Sequence, residues 1–272
     1  MNGPVLTRSI ITLTTDFGLA DGYAASIKGV LLGLCPEARL IDLTHLTPPH
    51  DILPAALVLE ATAPYFPPNT IHVVVVDPGV GSNRRALAAY AGGHYFVGPD
   101  NGVLTPFLRD DVLQGVVAIE EERFRLKVFS STFHGRDLFA PAAAHIARGG
   151  DYRSLGRLVD NPVRIEWPGV AVEGGELVGV VLHVDHFGNC ITSIKEADLP
   201  RGEVRYVRCK GLDFGPLRRH YAEVLAGAPI ALMNSMGRLE VALAQANAAV
   251  ALDIKPGDEV RISFTEGGLH VR

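Results

Sequence analysis

The run IHVVVV at residues 71–76, followed at once by Asp77, Pro78 and Gly79, constrains this chain more than any other segment. A strand of that composition has no polar face to give to water, so it must lie inside a sheet covered on both sides and end in a loop at the sheet's edge. The surrounding sequence supplies the covering layers. Residues 10–15 read as a strand broken by Asp16, Phe17 and Gly18, and in 22–34 Tyr23, Ile27, Leu31 and Leu34 recur at helical spacing until Pro36 stops the pattern. A strand at 39–43 precedes a second helix carrying Ile52, Ala56, Leu59 and Ala63 on one face, with Pro54 tolerated in its first turn. Strands at 85–90, 94–97 and 115–119 and a helix at 138–147 complete an alternating pattern that argues for layered α/β packing.

The pattern changes around residues 156–169. Beyond it, short strand signals at 177–184, 204–209, 230–233, 249–254 and 259–264 are separated by Gly, Pro and charged residues, which predicts a mainly β second domain, as a compact barrel or a small sandwich. A chain of 272 residues is long enough for both. The expected domains are 1–162 and 163–272.

The net charge of −5 gives no general electrostatic reason to bind nucleic acid, and the basic residues of 201–219 are dispersed among Gly, Pro and acidic neighbours, as on a solvated surface. Cys35, Cys190 and Cys209 form no close pair, so neither a disulfide scaffold nor a cysteine zinc site is expected. No apolar run approaches the roughly 20 residues of a membrane span, and the first residues do not have the pattern of a secretory leader. The expected location is the cytoplasm.

Five constellations carry chemistry. TTDFGLADGY sets Asp16 and Asp21 around a glycine-containing loop, where they either accept hydrogen bonds from ligand hydroxyls or cap the following helix. Asp16, directly beyond a strand, is the stronger ligand candidate. VVVVDPGVGSNRR puts Arg84 seven residues after Asp77. It lacks the spacing of a P-loop and the GxGxxG of a dinucleotide site, and an isolated salt bridge is the plain alternative. STFHGRDLFAP offers His134, able to share a proton near neutral pH or to serve only as a helix-entry residue. HVDHFGNCITSI contains His183, Asp185, His186 and Asn189; two imidazoles and a carboxylate do not define a metal shell, and Asp185 and Asn189 read better as polar ligands of a small molecule. MNSMGRLE presents Asn234, Ser235 and Glu240, as ligand contacts or as a polar turn between two core strands.

Taken together and in order, TTDFG with DGY, DPGVG with RR, FVGPDNG, FHGRD, HVDHFGN and the NS-G-LE pattern resemble the S-adenosylmethionine hydroxide adenosyltransferase family, which is related to the enzymes that make fluorinated and chlorinated deoxyadenosine. The resemblance spans nearly the whole chain. It implies an N-terminal three-layer α/β/α domain, a smaller C-terminal β-barrel, and a homotrimer with sites formed between subunits. It implies Asp77, Arg84 and His134 as the catalytic set, and Asp16, Asp21, Asp185, Asn189, Asn234, Ser235 and Glu240 as substrate-binding residues. The implied reaction splits S-adenosyl-L-methionine into adenosine and L-methionine by attack of water or hydroxide on the ribose 5′ carbon, with no metal or cofactor and no nucleic-acid or membrane partner. In that reading Asp77 and His134 orient water and handle its proton while Arg84 orients Asp77. A halogenase, or a noncatalytic binder of the same substrate, are the competing functions.

Overall fold

The computed structural model describes residues 9–200 and 204–265, so Arg201 lies outside the described residues. The chain divides into two compact units, Met1–Ile165 and Glu166–Arg272. Residues 163–165 belong with the first because the Val163 amide donates to Asp100 and the Ile165 amide to Thr105.

The first unit runs β1 (Ile10–Thr15), α1 (Tyr23–Leu34), β2 (Arg39–Thr44), α2 (Ile52–Thr62), β3 (Ile71–Val75), β4 (Ala86–Ala91), β5 (His94–Pro99), β6 (Leu113–Ala118) and α3 (Ala140–Ala147). Its six-stranded sheet has the order β2-β1-β3-β5-β4-β6. Strands β2, β1, β3 and β5 are parallel, whereas β4 is antiparallel to both neighbours and joins β5 through Gly92 and Gly93, both at positive φ as a two-residue hairpin requires. The central strand behaves as its composition demands. Val73 and Val75 pack with Ile27 and Leu31 of α1 and with Phe139 and Ile146 on one face, and Val74 and Val76 pack with Ala55 and Leu59 of α2 on the other.

This order creates a switch point. From β1 the chain moves to β2 on one side, then crosses back to β3 on the other, so the carboxyl ends of β1 and β3 lie side by side with their connections diverging. Thr15 pairs with Val75 in the register, which brings Asp16 and Asp77 out at the same edge of the sheet. Open α/β sheets bind ligands in this crevice.

The second unit contains β7 (Ala171–Glu173), β8 (Glu176–Val184), β9 (Cys190–Lys195), β10 (Val204–Cys209), β11 (Leu212–Asp213), β12 (Leu217–Arg218), β13 (Pro229–Met233), β14 (Arg238–Leu243), α4 (Ala248–Leu252) and β15 (Glu259–Phe264). The strands form a smaller, strongly curled half-barrel in the order β11-β10-β15-β8-β9-β14-β13-β12, with β7 paired to β8. Its terminal strands β11 and β12 are joined by residues 214–216 alone, so the sheet must curl back on itself. Val181, Cys190, Val207, Val241 and Val260 fill the interior.

One sequence expectation fails here. Residues 249–254 are not a strand but overlap α4, because the Asn247 side chain accepts the Val250 amide at 2.8 Å and caps an alanine-rich turn with high helix propensity. Strand β9, for which no strand is expected from the sequence, and β14, expected only as a core strand beyond the polar turn at Asn234, occupy the centre of the half-barrel.

The core of the first unit also holds His72, fully buried between Phe66 and Phe96, with Nδ1 2.8 Å from Thr12 Oγ1. His72 Nε2 and His94 Nδ1 are buried with no hydrogen-bond partner among the described residues. Burial, with His94 beside it, lowers the His72 pKa to about 3, far below the 6.5 of a free imidazole. Because the unfolded chain takes up this proton first, the associated stability is present above pH 6.5 and is lost as pH falls toward 3. By pH 4 the expected loss is about 3 kcal/mol. Urea unfolding of the native protein and His72→Gln across pH 4–7 should show a clearly shallower decline in the variant; equal slopes would contradict a buried neutral His72.

Candidate active site

The loop that follows β3 turns Asp77 back toward Arg84. Arg84 Nε donates to Asp77 Oδ1 at 2.9 Å, and Nη2 donates to Oδ2. The two side chains are 4% and 9% exposed, so this is a nearly buried, bidentate ion pair rather than a solvated one. Gly81 makes the turn possible. Its φ is +79°, and a Cβ there would lie 2.7 Å from the Ser131 carbonyl oxygen.

The same Arg84 Nη2 lies 2.8 Å from Nδ1 of His134. A guanidinium only donates, so Nδ1 must accept and the ring proton must sit on Nε2. His134 is thus a neutral imidazole. Burial, then the Arg84 charge, holds its pKa below the ordinary value against the opposing pull of Asp77. His134 leads into a π-helical turn, Gly135–Phe139, that opens α3, an irregularity common at functional sites.

The sequence neighbours of His134 act elsewhere. Arg136 pairs with Asp137, whose Oδ2 also accepts the Ser130 amide, and Arg136 stacks over Phe133. They anchor the His134 loop, while the contact to the imidazole comes from Arg84, fifty residues away. The second arginine of the RR pair is also structural, since Arg85 binds Asp100 and Asn161. In FVGPDNG, Asn101 donates to the Val76 carbonyl at 2.9 Å and steadies the backbone just before Asp77.

Asp16, Asp77 and His134 line one cavity of about 280 Å³, with Phe17, Tyr23 and Phe133 forming an aromatic wall of ring centroids 5.3–5.8 Å apart. Asp16 does not cap α1. Its Oδ2 instead accepts the His50 amide at 2.9 Å. Asp21 is exposed; it neither caps α1 nor lines this cavity.

The second unit brings its predicted residues into a separate cavity of about 960 Å³. Asp185 Oδ1 accepts the amides of Phe187 and Asn189, and Oδ2 accepts Asn189 Nδ2. Asn189 also donates to the Tyr221 hydroxyl at 3.4 Å, Tyr221 donates to Glu240 Oε1, and Asn234 Nδ2 donates to Oε2 at 3.4 Å. Burial pushes the Glu240 carboxyl up, and Asp185 adds to the effect, while the Tyr221 and Asn234 bonds oppose it. Burial and the bond to Glu240 push the Tyr221 phenol up as well. Ser235 lines this cavity.

Sequence reasoning missed Tyr221, the hub of that network, along with Arg219 and His220 beside it. The basic stretch read as solvated surface therefore ends in a cavity wall at Arg219. A lone Tyr after two arginines and a histidine was the available signal.

Residues 11–156 match the SAM hydroxide adenosyltransferase N-terminal domain and residues 179–261 the C-terminal domain of that family. An (R)-S-adenosyl-L-methionine hydrolase from Thermus thermophilus is 42% identical over 255 residues, covering 91% of this chain and 97% of its own. One of the same name from Salinispora arenicola is 40% identical over 261 residues, covering 93% and 97%. A fluorinase from Nocardia brasiliensis is more distant, 28% identical over 290 residues, covering 94% and 97%. The crystal structure of an uncharacterized conserved protein from Thermotoga maritima superposes with a TM-score of 0.85 at 34% identity, covering 93% of this chain and 99% of that one.

Removing the Arg84 charge while Asp77 remains should raise the His134 pKa. Nitrogen-15 NMR of Arg84→Met is expected to put the His134 titration at higher pH than in the native protein and to populate the Nδ1–H tautomer. An unchanged midpoint and tautomer would mean that Arg84 does not set this proton.

Proposed function

The chain belongs to the SAM hydroxide adenosyltransferase family, and we propose that its Asp77, Arg84 and His134 hold the oxygen nucleophile of the family reaction. It is an S-adenosyl-L-methionine hydrolase that forms adenosine and L-methionine. The observation that carries the residue assignment is that Asp77 and His134, coupled through Arg84, both line the cavity that Asp16 also lines.

In this reading, water lies against Asp77 and His134. Asp77 uses a carboxylate lone pair left over from Arg84 to accept one water hydrogen, and the His134 Nε2–H donates to the oxygen. The remaining lone pair points at the ribose 5′ carbon. As the carbon–oxygen bond forms, the carbon–sulfur bond breaks, its electron pair returns to sulfur, and the proton held by Asp77 passes from the oxygen to that carboxylate and from there to solvent. The sulfonium is already an activated leaving group, so holding the two reacting atoms in line is the main task of the protein. Asp16 binds the ribose hydroxyls. Asp185, Asn189, Asn234, Ser235 and Glu240 bind the remaining polar groups of the substrate.

The direction of the His134 shift refines the expected division of labour. A half-buried imidazole already accepting from Arg84 is a poor base at Nδ1, so His134 serves as a donor that holds the oxygen and Asp77 is the group that faces its proton. Unpaired, buried Cys35, Cys190 and Cys209 are consistent with a cytoplasmic setting.

Turnover in oxygen-18 water should place the heavy atom in the 5′ hydroxyl of adenosine, read by mass spectrometry. Its absence during verified turnover would overturn direct displacement. Asp77→Ala and His134→Ala should each lower kcat by about a hundredfold or more, with smaller changes in KM.

A homotrimer whose sites combine the first unit of one subunit with the second unit of its neighbour is part of the proposal. Native mass spectrometry should find three subunits. Co-assembly of Asp77→Ala and Asp185→Ala subunits in equal amounts, assayed at low substrate, should restore about a quarter of native activity through sites with two intact halves. If neither variant gains activity on mixing in verified mixed trimers, the site lies within one subunit.

A further inference from the structure

We propose that His45 is a positioning residue for the reaction, fixing through Thr15 and the loop after β1 the direction in which Asp16 meets substrate. The inference rests on the reading of Asp16 as a substrate ligand and adds the device that aims it.

Three hydrogen bonds from residues 45–50 grip the four residues around Asp16. His45 Nδ1 lies 2.8 Å from Thr15 Oγ1, the His45 carbonyl accepts the Gly18 amide at 2.8 Å, and the His50 amide donates to Asp16 Oδ2 at 2.9 Å. Asp16 is therefore held before, after and at its own carboxylate. Its Oδ1 takes no hydrogen bond among the described residues, and the residue lines the cavity. His50 reaches Asp16 only by adopting φ of +66°, a left-handed conformation uncommon for a residue with a side chain, and strain of this kind collects where geometry serves function.

The charges at the Asp42 end favour one polarity for the chain. Lys28 donates to Asp42 Oδ2 at 2.6 Å, and His45 Nε2 lies 3.1 Å from Asp42 Oδ1, off the line of a straight hydrogen bond. Burial raises the Asp42 pKa, but Lys28 and His45 outweigh it and hold the carboxyl below its ordinary range. An ionised carboxylate draws the ring proton to Nε2, which leaves Nδ1 as an acceptor for the Thr15 hydroxyl. Thr15 Oγ1 in turn accepts the Phe17 amide at 3.3 Å. Each group in the series Lys28, Asp42, His45, Thr15 and Phe17 then has one consistent donor or acceptor role.

Thr15 is fully buried and His45 is 4% exposed, so neither reaches substrate. They act through Asp16 or only through the fold, and steady-state kinetics of the full chain with S-adenosyl-L-methionine separates these. His45→Phe keeps a planar ring but removes the acceptor, and should raise KM about tenfold with a smaller change in kcat. His45→Asn, whose amide oxygen falls near Nδ1, should recover most of that loss. Thr15→Val cuts the same link from the other side and should reproduce the KM change, which keeps the test available if His45→Phe fails to fold. In an Asp16→Ala background the His45 and Thr15 substitutions should have no further effect on KM. If KM is unchanged by both substitutions in the native background, or rises by the same factor with and without Asp16, the positioning role is wrong while Asp16 can still bind substrate. If Asp16→Ala itself leaves KM unchanged, the reading of Asp16 fails and the positioning role fails with it.

Discussion

The bidentate pair between Arg84 and Asp77 is the interaction on which the geometry of the proposed site depends. Both side chains are almost fully withdrawn from water, so each would carry a large desolvation penalty alone, and removing either would leave an uncompensated charge at the end of the central strand. Pairing fixes more than charge. Nη2 of Arg84 has a second acceptor in His134 Nδ1, so one planar group sets the conformation of the carboxylate and the tautomer of the imidazole together. Residues seven and fifty positions from Arg84 in sequence are thereby held as one unit.

The sheet determines where that unit can form. Because the chain reverses direction across β1, the ends of β1 and β3 are free of the connections that would otherwise cover them. Asp16 and Asp77 emerge from neighbouring strands whose last paired residues are Thr15 and Val75. Two apolar layers hold β3 rigid from both faces, with Val73 and Val75 against α1 and α3 and Val74 and Val76 against α2. Asn101, reaching the Val76 carbonyl from the loop after β5, and Asp137, gathering Ser130 and Arg136, brace the edges. Motifs that look catalytic in sequence thus contain residues that touch the site and residues that only steady it, and FHGRD has both.

Much of this is legible in the amino-acid sequence. The β3 run, the helical spacing of Ile27 and Leu31, and the strand-end positions of Asp16 and Asp77 follow from local periodicity, which depends on nearest neighbours. What was illegible depends on tertiary contact. Nothing local distinguishes Arg84, which reaches His134, from Arg85, which binds Asp100 and Asn161. Residues 249–254 are apolar enough for a strand, and the cap from Asn247 decides for helix. His45 and Tyr221 sit in unremarkable surroundings in sequence, and their importance lies in partners thirty and nineteen positions away, Thr15 and Glu240. The glycines and acidic residues around Asp21 look much like those around Asp16, but only Asp16 has a backbone amide from residue 50 fixing its carboxylate.

In the role proposed for it, the charge state of the array bears on how it would accelerate the reaction. S-adenosyl-L-methionine enters with a positive sulfur and leaves as uncharged thioether and adenosine, so positive charge at the reacting centre falls along the path. A bare carboxylate beside the sulfonium would favour the charged ground state over the transition state, and binding energy of that kind lowers KM without raising kcat. Asp77 is not bare. Arg84 balances it and His134 is neutral, so the array carries no net charge while still presenting an acceptor and a donor in fixed directions. Such a site can orient a neutral water without stabilising the sulfonium strongly, and its dipoles are already arranged before the oxygen develops charge. The low pKa of His134 is then a consequence of the same arrangement, because the burial that strengthens these dipoles also disfavours a second cation beside Arg84.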